Sequence, residues 1–315
     1  MSHRIRDFML VIFAALIVAI LALAVTPTSG QAPPKDYRAP RTKDGHPDLS
    51  GVWQALNTAN WNLQSHGVRP ALAVRPGRVP GTLLPAAPVM AFGAIGAVPA
   101  GFGVVEGNEI PYQAWGAAKK KENEENWLMR DPEIKCFQPG VPRANYMPFP
   151  FQIVQGTNKI MMLYEFAGAT RTIEVGGKDP APVDSWMGWS NAHWEGETLV
   201  VDVTGLNDQS WFDRAGNFHS DALHVVERYT ATSPYHLRYE ATIEDPKVFT
   251  RPWKISMPLY RRIEPNVEYL EFNCVEFVEE LMLGKVRKEP LPTVEEFRRW
   301  YDEFRPYPQL SESPR

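Results

Sequence analysis

From residue 149 onward, apolar and polar residues alternate with a period of two, the spacing at which successive side chains leave opposite faces of a β-strand. The alternation predicts strands at Phe151–Gln155, Lys159–Phe166, Arg171–Val175, Ala192–Trp194, Thr198–Thr204, Leu223–Ala231, His236–Glu244, Lys254–Ile263 and Val267–Cys274. They are short, rich in Val, Ile, Tyr, Thr and Phe, and divided by turn residues. Gly156-Thr157-Asn158 and Trp194-Glu195-Gly196-Glu197 have the composition of tight hairpins. No helical segments recur between the strands, so parallel βαβ units are not expected. The simplest arrangement is mainly β: an antiparallel meander closing into a barrel of about eight strands, because closure leaves no exposed edge.

Helical spacing is confined to the periphery. Tyr112–Arg130 reads as a solvated helix whose Lys119-Lys120-Lys121 and Glu122, Glu124 and Glu125 can pair along one face. Thr293–Phe304 reads as a short amphipathic helix, with Thr293 as N-cap and Glu296 completing a capping box. Before residue 149, Pro47–Trp53 predicts a turn into one short strand. Val79–Val105 passes without a charge and, broken by prolines and glycines, predicts a surface loop. The expected division is a leader (1–32), a Pro/Gly-rich extended arm (33–148), a barrel core (149–275) and a helical tail (276–315). Just over half of the 29 prolines precede residue 149, which suits an arm of stiffened loops.

The leader sets the compartment. His3, Arg4 and Arg6 precede an apolar run, Phe8–Val25, and Gly30 and Ala32 supply small residues at −3 and −1. That is the grammar of a signal peptide cleaved after Ala32; an uncleaved anchor is the alternative, since the run is long enough to span a bilayer. Either way the expected location is periplasmic or secreted, with a membrane as partner only if the segment stays attached. In an oxidising compartment Cys136 and Cys274 are most simply one disulfide, two buried thiols being the alternative. A net charge of −4 gives no reason to expect nucleic acid, and 44% hydrophobic residues exclude a disordered chain.

No motif for phosphate, dinucleotide, zinc or serine-hydrolase chemistry is present, and no cofactor or metal is expected. Asp213…His219-Ser220-Asp221…His224 is the densest polar group, but its spacing matches no standard ligand set and suits a polar loop capping a strand. Alternation places Glu227 with Leu223, Val225 and Tyr229 on an inward face, next to the Leu237, Tyr239 and Ile243 face. A carboxylate there has the environment of a general acid or base unless Arg171, Arg251 or Arg262 pairs with it. His224, Asp245 and Arg251 complete the candidate catalytic set. Trp186 and Trp189 flank Gly188, and Trp253 follows a proline-fixed loop. With Tyr229, Tyr239, Arg171 and His219 they are the candidate ligand contacts, unless the tryptophans simply plug the barrel ends.

Several stretches resemble a large family of secreted bacterial proteins of unassigned function. They are Pro47-Asp-Leu-Ser-Gly-Val-Trp53, Cys136…Pro-Gly-Val-Pro-Arg143, Pro150-Phe-Gln-Ile-Val-Gln155, Ser185-Trp-Met-Gly188, Trp194-Glu-Gly-Glu-Thr-Leu-Val-Val-Asp202, His219-Ser-Asp-Ala-Leu-His224 and Ile243-Glu-Asp-Pro-Lys247…Thr-Arg-Pro-Trp253. The resemblance spans most of residues 46–275 and implies export and one β-rich domain; it implies no activity. The chain departs from it at Trp189, where a histidine is expected, and in the apolar insertion of residues 70–108.

Three functions follow as expectations. The first is a barrel binding a small hydrophobic or aromatic molecule in its interior. The second is a cofactor-independent lyase, hydratase or isomerase using an acid/base residue in the same cavity, and the third an envelope interaction protein. An apolar cavity favours the first, a buried carboxylate beside an open cavity the second, and a filled barrel with an exposed apolar loop the third.

Overall fold

The computed structural model describes residues 37–68, 74–76, 83–85, 98–272 and 274, with isolated positions 295 and 299. The leader, most of the apolar insertion and all but those two positions of the expected Thr293–Phe304 helix lie outside them. The elements in chain order are β1 (Gly51–Ala55), β2 (Val74–Pro76), β3 (Leu83–Pro85), α1 (Ala114–Glu125), α2 (Trp127–Arg130), β4 (Phe151–Gln155), β5 (Lys159–Tyr164), β6 (Thr170–Val175), β7 (Trp189–Glu195), β8 (Thr198–Thr204), β9 (His224–Ser233), β10 (His236–Glu244) and β11 (Trp253–Arg261). Among the described residues, strands β2 and β3 pair only with each other. The expected Tyr112–Arg130 helix is interrupted at Asn126, whose φ of −122° leaves the helical region and separates α1 from α2.

The remaining nine strands form a closed barrel in the order β1-β11-β10-β9-β8-β7-β6-β5-β4, with β4 returning to β1. This bears out the mainly-β barrel and corrects three details of it. The barrel has nine strands, and the ninth is β1, the short strand expected after Pro47 but placed in the arm outside the barrel. Neighbours in a closed barrel cannot all run antiparallel when the strand number is odd, so one pair must be parallel. That pair is β6–β7, in which Ile173–Val175 face Ser190–Ala192. Residues 176–188 provide the crossover, without the helix that usually signals one. Finally, the expected strand at Val267–Cys274 is irregular over its described residues. With β11 already paired to β10 and β1 on its two sides, no edge remains for it to join.

Alternation decides what fills the barrel. Ile160, Met162 and Tyr164 of β5, Leu199, Val201 and Val203 of β8, and Leu237, Tyr239, Ala241 and Ile243 of β10 all point inward, none more than 2% exposed. One end is closed by residues 131–146, whose 3₁₀ turns at Pro132–Lys135 and Arg143–Tyr146 carry polar side chains into the core. Arg143 holds Asp131 through two parallel bonds of 2.8 Å and takes Asn60 through Nε, while Arg214 holds Glu133 at 2.7 Å. Every charge sealed in this plug is therefore matched. The Cys136–Cys274 disulfide ties the plug to the chain that follows the barrel.

Candidate functional site

The polar centre of the barrel assembles around Glu227, which is fully buried. Its Oε1 accepts bonds from Asn145 Nδ2 (2.7 Å), Tyr239 OH (2.7 Å) and Tyr229 OH (3.1 Å). Its other oxygen accepts from Arg171 Nη2 in an ion pair with both side chains at most 1% exposed. Arg171 Nε donates to Ser190 Oγ at 2.7 Å, and Tyr164 OH donates to Asn145 Oδ1 at 3.0 Å. Arg171 Nη1 is buried with no hydrogen-bond partner. Burial works against the Arg171 charge, but the facing Glu227 carboxylate outweighs it and keeps the guanidinium protonated. Burial and the same carboxylate raise the phenols of Tyr229 and Tyr239, which therefore serve as neutral donors.

Of the three arginines able to pair with Glu227, the fold selects Arg171. Glu227, Arg171, Tyr229 and Tyr239 come together as the inward alternation implies; Asn145, which completes the cluster, lies in a turn far from any periodic segment. The cluster is enclosed: Glu227, Tyr229, Tyr239 and Asn145 are at most 1% exposed, and apolar side chains surround them.

The other expected residues are dispersed. His224 is three positions from Glu227 and so leaves the opposite face of β9. It sits outside the barrel between Asp202 Oδ2 (3.0 Å) and Glu244 Oε2 (3.3 Å). Partial burial lowers its pKa, but the two carboxylates outweigh that and raise it overall. Asp245 is consumed at the start of the β10–β11 loop, accepting from Ser220 N (2.6 Å), Ser220 Oγ (2.9 Å) and Lys247 N (3.1 Å). The Arg251 side chain is 57% exposed and 3.7 Å from Glu109. His219 is buried: its Nδ1 donates to Ser220 O at 2.9 Å, so Nε2 accepts from Ser210 Oγ at 2.8 Å. Burial lowers its pKa and keeps the ring neutral. Among the described residues no group of three His, Cys, Asp or Glu side chains is arranged for a metal ion.

The tryptophans do not converge on a ligand space either. Trp253 is 3% exposed and packs edge-on against Phe212 and Phe249 as a plug. Trp186 stacks on Phe137 with ring centres 5.1 Å apart. Trp189 opens β7 with its indole N–H buried and unbonded.

An open cleft of about 390 Å³ lies instead in the barrel wall, lined by residues 56–59 and 100–104, by Ser256, Met257 and Pro258, and by Tyr260. Its origin is the seam between first and last strands. β1 pairs with β11 only at residues 53–55 opposite 259–261. Further along, Val104 and Val105 take its place beside Ile255 and Ser256. Between these contacts the wall lacks a partner strand around Met257 and Pro258, and Pro258 has no N–H to offer one. The walls are mainly apolar, with Asn57, Thr58, Ser256 and the Tyr260 phenol as polar side chains. Asn57 Nδ2 donates to Met257 Sδ at 3.2 Å across the base. The charge-free run reaching Val105 is legible in the sequence, but nothing local reveals that it meets residues 56–59 across the seam.

No family model and no curated protein matches the chain. A crystal structure of a point mutant of the fluorescent protein UnaG is similar to 45% of this chain and 89% of its own, at 15% identity and a TM-score of 0.25. That likeness is too distant to bear on fold or function.

Proposed function

We propose that this protein is an exported β-barrel that binds a small apolar or aromatic molecule in the wall cleft, with the filled interior as a rigid frame. The observation that carries the reading is the cleft itself: about 390 Å³, within the ~300–1,000 Å³ of ordinary ligand sites, apolar in the main and with four polar side chains to orient an occupant. A barrel interior packed with side chains counts against a ligand or substrate there, and so against acid/base chemistry at Glu227. Export is supported by the basic-apolar leader, by the disulfide, and by the motif resemblance to secreted proteins. No helix among the described residues is long and apolar enough to cross a membrane.

The test is titration of the full chain with N-phenyl-1-naphthylamine, a neutral aromatic dye that fluoresces on leaving water. Saturable one-to-one binding is expected, lost in Ser256→Trp, whose indole occupies the cleft from the outer face of β11. Absence of saturable binding, or unchanged binding by Ser256→Trp, overturns the reading.

A further inference from the structure

His66 stands where the two cleft loops meet. Its Nδ1 lies 2.8 Å from Gln64 O, on its own loop, and its Nε2 lies 3.1 Å from Pro99 O, on the other. Both distances are shorter than the ~3.3–3.6 Å of a C–H against oxygen, so both are nitrogen contacts. A carbonyl oxygen only accepts, so each nitrogen must bring a proton. A neutral imidazole has one; the two bonds exist together only in the imidazolium. With one proton gone, a ring lone pair faces a carbonyl lone pair at bonding distance, and the two must part. Gln64 is two residues away and moves with the ring, whereas Pro99 is 33 positions away. The contact that gives way is therefore the one between the loops.

The backbone seats the ring at this junction. His66 N donates to Gly101 O at 2.9 Å and Gly101 N to His66 O at 3.0 Å, an isolated bridge that sets the two loops side by side. A Cβ on Gly101 would lie 2.7 Å from His66 Cε1 and 1.9 Å from Thr58 Oγ1, so glycine leaves the space that the ring needs. Ala100, Gly101 and Thr58 all line the cleft. Ionisable groups also flank these loops. Glu106 and Glu109 are exposed on the turn whose Asn108 accepts from Ser65 N and Gln64 Nε2. Asp213 holds Leu63 N, and Tyr260 lines the cleft opposite. Arg69, Arg75 and Arg78 lie in the segment that joins the loops; arginine keeps its charge throughout the physiological range and so generates no response to pH there.

We propose that His66 is a proton-operated latch on the cleft: as imidazolium it holds the 98–101 loop to residues 64–66, and loss of one ring proton frees that loop. Imidazole is the side chain that gains and loses its second proton in the physiological range, which makes it the group suited to such a device. The latch regulates the ligand site proposed above and rests on that reading for what it retains. An apolar occupant is held while the ring is doubly protonated and released as pH rises.

Amide hydrogen exchange in the full chain reads the latch without any ligand. Between pH 5 and 8 the protection factor of the Gly101 amide should fall at least about ten-fold, the worth of one bond from a charged donor. In His66→Gln, which offers a single neutral donor, it should be the same at both pH values. Repeating the comparison in Asp213→Asn removes the carboxyl that titrates under Leu63, and the fall should persist. The Ala241 amide, inside β10, reports that each variant is folded. Release of the naphthylamine dye, followed by stopped flow, should be about ten-fold faster at pH 8 than at pH 5, and equal at the two in His66→Gln. A Gly101 amide equally protected at both pH values, or a fall that survives His66→Gln or vanishes in Asp213→Asn, overturns the latch. Dye release that ignores pH while the amide responds overturns its control of the cleft. If no dye binds while the amide responds, the ligand reading fails and the latch stands.

Discussion

Removing the Arg171 side chain should strand the Glu227 carboxylate in the middle of the barrel. Both partners are at most 1% exposed, so solvent does not screen the pair and the surface value of an ion pair does not apply. In Arg171→Met the carboxylate keeps its bonds from Asn145, Tyr229 and Tyr239 but loses its ion-pair partner, and Ser190 Oγ loses its donor. Breaking a buried pair from one side costs about 3–5 kcal/mol. Against a total stability of some 5–15 kcal/mol that is a large fraction, equivalent to roughly 10 °C in Tm for a chain of this size. Glu227→Gln should cost a similar amount by stranding Arg171. The double variant removes both charges while its amide oxygen still accepts the tyrosine and asparagine donors, so it should regain at least about 2 kcal/mol relative to the sum of the singles. Urea unfolding followed by tryptophan fluorescence measures all four proteins. A loss below about 1 kcal/mol in Arg171→Met, or a double variant as unstable as the two singles added together, would refute the account of the interior as a mutually dependent charge cluster.

Two further outcomes follow from the buried Asp213 and from the disulfide that anchors the plug. Burial pushes the Asp213 carboxyl up to about 6, against bonds from Asn217 and the Leu63 backbone N–H that lower it. A folded-state value above the unfolded one means stability that is full below about pH 4 and is lost as pH rises through 6, by roughly 3 kcal/mol. Urea midpoints of the wild type should therefore fall between about pH 4 and 6, and Asp213→Asn should flatten that slope; a slope that survives the substitution assigns it elsewhere. Opening the Cys136–Cys274 bond frees a closed loop with a sequence separation of 138 and should cost roughly 5 kcal/mol by chain entropy. Denaturation of the Cys136→Ser, Cys274→Ser double variant checks this, and an unchanged midpoint would show that the bond constrains nothing in the unfolded chain.

Some of the candidate site could be read from spacing alone. An interval of two put Glu227 and Tyr229 on one face, and the apolar company of that face marked it as inward. The interval of three from His224 to Glu227 places them on opposite sides of the wall by the same rule, so that pair could have been dismissed from the sequence. Asn145 could not have been found, because it sits in a non-repeating turn and matters only by reaching into the barrel end. The tryptophans looked alike as loop residues, yet one plugs the core, one stacks at its edge and one begins a strand. Nothing near each residue in the chain distinguishes these roles.

By itself the sequence determined the properties that are local in the chain. It specified alternating strands, an inward face with a carboxylate needing a cation, two cysteines suited to one bridge, and a loop stripped of charge. The tertiary structure decided what depends on distant segments meeting. β1 entered the wall as the ninth strand, which forced the parallel β6–β7 pair. Arg171 was brought to Glu227, and the early departure of β1 from β11 opened a cleft between residues separated by some two hundred positions. Strand period is set by backbone geometry residue by residue. Closure, register and the gap at the seam instead minimise free energy over the whole barrel, and no local pattern encodes that minimum.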